Sequence, residues 1–272
     1  MRRLVALIRY SVYSDLRYPA EFLWASLNPL LWAIPAVLMV GVGFEGPLVD
    51  RSLAATYAGF LLCGAVFWNY VEAVWTLCFY LREAMVAGTL EAIWVTPVSR
   101  ALVFAGWSLA RLFTVSVQSV VGLALVAALV GWSVLTGSAG VWSPTAAAEV
   151  IGIGVVSLIA SYGFAFALAG LSLLVKDVES LFSLLGNAAP LLGGMAFTVS
   201  LLPAPLRILG YLFPFTWGLD LIRGTVFGSR TILPWGVEAV VCVGLSLFWL
   251  IVGYVALLVC ERAARYRGLG TF

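Results

Sequence analysis

Apolar runs longer than the roughly 20 residues that cross a bilayer recur along this chain, and no other feature narrows its fold so far. Read between flanking charges, six windows qualify, at about 22 to 43, 55 to 80, 103 to 131, 147 to 174, 180 to 201 and 234 to 259. A soluble domain has no use for so much apolar surface: 63% of residues are hydrophobic, 10% are charged, and mean hydropathy is +1.07. The expectation is an all-α integral membrane protein of six transmembrane helices. Residues 1–272 then form a single transmembrane domain with no room for a soluble one.

The cations give that domain an orientation. With a cytoplasmic N-terminus, the inner segments hold Arg2, Arg3, Arg9, Arg17, Arg82, Arg100, Arg111, Lys176, Arg262, Arg265 and Arg267, and the outer ones hold Arg51, Arg207, Arg223 and Arg230. The positive-inside bias places both termini in the cytoplasm. Residues 1–18 gather Arg2, Arg3, Arg9 and Arg17 on one side of a helical wheel with Leu4, Leu7, Ile8 and Val12 largely opposite. This is either an interfacial helix on the inner surface or a basic flank that fixes topology. Arginines interrupt its apolar residues, which argues against a cleavable signal peptide.

Several chemistries are excluded by what the chain lacks. It has no histidine, the usual zinc and haem ligand and the commonest general base. Its one lysine, Lys176, follows Val175, so no Gly-Lys-Ser/Thr phosphate loop exists. Cys63, Cys78, Cys242 and Cys260 form no CxxC pair and read as buried thiols. No catalytic, cofactor-binding or metal-binding residue is expected. If ATP drives this protein, another chain binds it.

Charges inside apolar windows need partners or water. Glu72 lies ten residues before Arg82, and Arg111 eleven after Arg100, so both sit about 15 to 17 Å along their helices from those markers. In an antiparallel hairpin their depths match, which allows an intramembrane ion pair; the alternative has Arg111 snorkelling and Glu72 protonated or wet. Glu149 and Glu238, near the outer ends of their spans, Glu21 near an inner end, and Asp220 in a broken segment are either interfacial anchors or substrate ligands. In GFAFALAG, Gly163 and Ala167, like Ala165 and Ala169, are four apart and permit close helix packing.

Two segments depart from simple spans. Residues 81–100, LREAMVAGTLEAIWVTPVSR, form a polar island in which 83 to 96 can make a helix that Pro97 stops. On that helix Val86, Leu90, Ile93 and Trp94 share one side, Glu91 adjoins them, Glu83 adds a second acid, and Ala84, Gly88 and Ala92 leave another flank thin. Its acids would repel anionic headgroups, so docking into a groove on another protein fits it better than floating on the membrane. Residues 190–224 are too apolar for a solvated loop, yet Gly193, Gly194, Pro203, Pro205 and Pro214 break them too often for one straight helix. Short re-entrant helices in the outer leaflet, covered by protein or lining a cavity, satisfy both conditions, as does a packed lid.

The run Glu83, Gly88-Thr89-Leu90-Glu91 and Thr96-Pro97-Val98-Ser99-Arg100 after the second of six spans resembles the cytoplasmic motif of the type-2 ABC export permeases. Pro203, Pro205 and LFPFTWGLDLIRG at 212–224, with Asp220 and Arg223, resemble that family's segment before its last span. The resemblance covers essentially the whole chain. It implies a permease subunit in a bacterial or archaeal cell membrane, paired with a second permease, identical or related, and with two cytoplasmic ATPase subunits that bind Mg-ATP. It further implies that Glu83, Val86, Gly88, Thr89, Leu90, Glu91, Ile93, Trp94, Thr96 and Pro97 form the coupling helix. Pro203, Pro205, Pro214, Asp220 and Arg223 would then belong to the outer gate. The aromatic-rich, charge-poor composition suits a hydrophobic or amphipathic cargo such as a lipid, a drug or a lipid-linked glycan, and no nucleic acid. The competing class is a self-contained secondary transporter or channel, for which inverted repeats or a selectivity filter would be expected. A membrane enzyme is a third class, disfavoured by the missing histidine and clustered acids.

Overall fold

The computed structural model describes residues 51–86, 100–130, 143–172 and 178–267, together with scattered positions between 9 and 31 and the single residues 88 and 174. Among the described residues the chain is helical and contains no strand. The helices are α1 (Arg51–Val86), α2 (Arg100–Val130), α3 (Pro144–Ser172), α4 (Val178–Leu192), α5 (Ala204–Leu212), α6 (Pro214–Phe227) and α7 (Trp235–Arg267), with a short 3₁₀ turn at Val199–Leu201. Four of them contain stretches long and apolar enough to cross a membrane: Thr56–Thr76 in α1, Gly106–Ala128 in α2, Pro144–Ser172 in α3 and Trp235–Cys260 in α7. The chain therefore reads as a membrane protein.

These four correspond to the second, third, fourth and sixth expected spans. The first, 22 to 43, and the basic segment 1–18 lie largely outside the described residues. The fifth, expected over 180 to 201, differs. Its helix, α4, has 15 residues and ends at Leu192, about 22 Å long and short of the roughly 30 Å hydrocarbon core. Gly193 and Gly194 end it, with Gly194 in the left-handed region at φ 83° that glycine adopts without strain. The polar island also differs. α1 continues through Val86, so Glu83 belongs to the last turn of a span helix, and Gly88 at φ 67° stands just past its end as a helix-stopping glycine does.

Contacts set the directions of the helices. Along the α3–α7 interface Ser246 meets Val156 and Gly163 meets Gly253, with Gly170 beside Leu257, so these two helices run parallel. In α1 Trp75 meets Phe164 of α3, and Arg223 bonds the Phe60 carbonyl at the α1 end nearest the α3 start. α1 therefore also runs with α3. Tyr70 Oη donates to Ser116 Oγ of α2 at 3.1 Å, and Glu72, later on α1, lies near Arg111, earlier on α2, so α2 returns antiparallel to α1. The α1 span is 67% buried and the α7 span 17%, which puts α1 at the centre of the described bundle and α7 at its edge.

Local chemistry fixes where helices start. Ser143 Oγ accepts the Ala146 N–H at 3.1 Å ahead of Pro144, a capped start with proline where no N–H is missed. The α3–α7 pair, the most extensive helix contact among the described residues, depends on small residues. A Cβ on Gly163 would strike the Trp249–Leu250 backbone, and one on Gly253 would strike the Gly163 carbonyl. Ser157, Ser161 and Ser246 return their hydroxyls to carbonyls of their own helices, Ile153, Ser157 and Cys242, so they fit this tight seam with no unmet donor.

Gly163→Leu is expected to lower the thermal unfolding midpoint of the detergent-purified protein, through overpacking of about 1–3 kcal/mol or more. Gly152→Leu, on the same helix with nothing within 4 Å of its added Cβ, should leave it unchanged. Equal midpoints for the two variants would contradict the close α3–α7 approach.

Candidate functional site

α5 and α6 are nine and fourteen residues long and joined at a single non-helical residue, Phe213. Prolines set both starts: Pro203 precedes α5 and Pro205 lies in its first turn, while Pro214 is the first residue of α6. The pair forms a helical hairpin whose bend points into the bundle from the end at which α1, α3 and α7 begin. The Leu212 carbonyl accepts from Trp249 Nε1 at 3.0 Å, and Trp249 is fourteen residues into α7, about 21 Å from its start.

A bend at that depth exposes the last carbonyls of α5, and each finds a donor. Gly210 accepts from Thr216 Oγ1 at 2.7 Å, Tyr211 from Trp217 Nε1 at 2.9 Å, and Leu212 from Trp249. Thr216 and Trp217 follow Pro214 by two and three residues, so the bend is largely self-satisfied. Around it an aromatic socket closes: Phe213 stacks on Phe215 at 5.1 Å, Phe215 meets Trp68 edge-on at 5.6 Å, and Phe164 lies 5.1 Å from Trp75 and 4.9 Å from Trp249. Such pairs contribute about 0.5–1.5 kcal/mol each beyond the area they bury.

The base of the hairpin is held by Arg223, 2% exposed. Its guanidinium donates to the carbonyls of Gly194 and Met195, in the turn that ends α4, and to Phe60 of α1 at 3.0 Å. It also lies 3.5 Å from the Phe60 ring centroid, so a cation that remains protonated in proteins is covered by three carbonyls and a π face. Gly64 makes room, since a Cβ there would meet the Met195 carbonyl and the guanidinium. Arg223 thus ties together three segments: α6, the break after α4, and the central helix α1.

Asp220, one turn earlier on α6, is engaged elsewhere. Its Oδ2 accepts the Ile232 N–H at 2.8 Å, and Glu238 Oε2 on α7 accepts the Leu233 N–H at 3.0 Å. The two carboxyls lie side by side, Glu238 is 0% exposed, and its Oε1 has no hydrogen-bond partner. Two acids from different helices therefore hold consecutive amides of the connection from α6 to α7.

The structure brings Pro203, Pro205, Pro214, Asp220 and Arg223 into one hairpin, but Asp220 and Arg223 hold different neighbours. Glu72 stands on the exposed side of α1. Arg111 on α2 is near enough for its charge to act on Glu72; its Nε is buried without a hydrogen-bond partner, and among the described atoms the two form no ion pair. Of the coupling residues, Glu83 and Val86 end α1 and Gly88 follows in a turn, whereas Thr89, Leu90, Glu91, Ile93, Trp94, Thr96 and Pro97 lie outside the described residues. Sequence reasoning missed Phe60 and Gly64 as partners of Arg223, and the closeness of Glu238 to Asp220. The only advance signal for the latter was a short connection between Gly228 and Pro234. No family model matches the chain, and no curated protein matches it.

Arg223→Lys keeps the charge but loses the fork that reaches several carbonyls. It should lower the unfolding midpoint in detergent, a loss of about 1.5–3 kcal/mol, and speed proteolysis between residues 193 and 203. Phe60→Leu should cost less, about 0.5–2 kcal/mol. An Arg223→Lys variant as stable and protease-resistant as the parent would remove Arg223 from the role of clamp.

Proposed function

We propose that this chain is the permease subunit of an ATP-driven exporter of the type-2 ABC kind, moving a hydrophobic or amphipathic substrate out of the cytoplasm or inner leaflet. The observation that carries the reading is the α5–α6 hairpin, a pair of short helices set into one end of a bundle of spans just before the last of them. That is the arrangement the family resemblance implies for an outer gate. A hairpin fixed by one arginine and one aromatic socket can change position as a unit, as a gating element must.

The chain offers no phosphate loop, so energy reaches it mechanically from a separate ATPase. In this reading the segment 89–97 docks on that subunit, and α1, which ends immediately before it and lies at the centre of the bundle, carries the displacement to Phe60 and Arg223. ATP shifts the permease only as far as the ATP-bound partner prefers one of its conformations. A second permease copy or relative completes the pathway, and both termini are cytoplasmic in the cell membrane of a bacterium or archaeon.

Leu90→Arg tests this directly. Membrane insertion should be normal, while co-purification of the ATPase subunit and ATP-dependent export fall at least tenfold, the effect of about 1.4 kcal/mol or more at a docking helix. Full association and transport by that variant would dismiss the docking assignment. A second reading, a self-contained secondary transporter, draws on the buried neighbours Asp220 and Glu238; transport by this chain alone in liposomes under an ion gradient would favour it instead.

A further inference from the structure

The geometry points to a binding site for an organic ammonium group, carried by a zwitterionic lipid headgroup, in the pocket between the first turns of α3 and the start of α7. The pocket has a volume of about 400 Å³ and is lined by Ser143, Thr145, Ala146, Glu149, Thr225 and Trp235. Glu149 lies four residues after Thr145, hence on the same face of α3, is exposed, and forms no ion pair among the described residues. Trp235, the first residue of α7, is 44% exposed and supplies an aromatic wall. A carboxylate, an indole face and hydroxyl acceptors together match an ammonium: the carboxylate gives a charge-assisted hydrogen bond and the indole a cation–π contact. Thr145 Oγ1 shares one hydrogen bond with Ser143 Oγ at 2.8 Å and, as a hydroxyl, can still accept another.

Other ligand classes fit less well. A small metal ion would find one carboxylate, with only neutral hydroxyls beside it, against the several carboxylate and carbonyl oxygens that calcium or magnesium takes. A simple anion would face the Glu149 charge. The source of the ammonium follows from position. Pro144 and Trp235 are the first residues of two of the candidate spans, so the pocket sits at headgroup level. The next turns carry exposed apolar side chains, Ile151 on α3 and Val237 and Val240 on α7, for acyl chains to lie against. The pocket shares Thr225 with the last turns of α6, but neither Arg223 nor the residues of the bend line it, and it does not depend on the ATP-driven reading.

The test uses the full chain in nanodiscs of equal phosphatidylethanolamine and phosphatidylglycerol, with retained lipids counted by native mass spectrometry after stepwise delipidation. The parent protein should retain phosphatidylethanolamine over phosphatidylglycerol by about fivefold, as a cation–π contact of roughly 1 kcal/mol gives. Glu149→Gln and Trp235→Ala should abolish the preference without lowering the unfolding midpoint, and Trp235→Phe should keep most of it. If the two lipids are retained equally but free ethanolamine raises the midpoint of the parent and not of Glu149→Gln, the ammonium site stands with a free amine as its ligand. If neither lipid ratio nor free ethanolamine distinguishes the parent from Glu149→Gln, the assignment is wrong.

Discussion

The guanidinium of Arg223 answers a problem created two helices earlier. α4 stops inside an apolar bundle, and a helix that stops there leaves carbonyls that neither lipid nor a hydrocarbon core can bond. Backbone donors meet some of them: the amides of Gly193, Gly194 and Met195 bond the carbonyls of Ala189, Leu191 and Pro190. The carbonyls of Gly194 and Met195 themselves go to Arg223. Burying a charge is costly unless it is engaged; here both terminal nitrogens of the guanidinium bond carbonyls, while Nε is buried without a partner, and the carbonyls it meets would themselves be costly to leave unbonded. Each group makes the other tolerable, so α4 can end short and α5–α6 can fold back into the bundle.

The bend of the hairpin shows the same economy by other means. Its carbonyls are bonded by a threonine and two tryptophans rather than by a charge, and the tryptophan rings fill the space around it. Polar satisfaction and apolar packing are supplied by the same side chains, as suits Trp, whose body is apolar and whose edge carries one donor. Toward the ends of the spans Asp220 and Glu238 hold the amides of the α6–α7 connection, beside Arg223. The polar groups of this region thus pass from indoles at the bend to a guanidinium and carboxylates toward the span ends.

Much of this fold was legible in the sequence because the dominant force is crude. Apolar windows, each with a single internal charge, locate the cores of α1, α2, α3 and α7, since a bilayer demands little more than length and apolarity. The prolines at 203, 205 and 214 and the glycine pair at 193 and 194 marked the broken segment correctly, for they act on the backbone locally. What a single sequence could not give was pairing. Asp220 and Arg223, three apart on one helix, look like partners on a wheel, but each bonds a different loop, and the acceptors of Arg223 are backbone carbonyls, which carry no sequence signature. Near the outer end of its span Glu238 reads as an interfacial anchor or a substrate ligand, and neither reading carries its burial beside Asp220 of α6.

The seam between α3 and α7 has a mechanical corollary. Where Gly163 and Gly253 bring two backbones together with no side chain between them, neither a sliding lipid tail nor a rotamer change can be accommodated. The two helices will behave as one plank, and parting them would empty a strip of the interior with nothing at hand to refill it. Any breathing of this bundle is thereby diverted to its looser boundaries, such as that of α5, which is mostly exposed and touches its neighbours only sparsely.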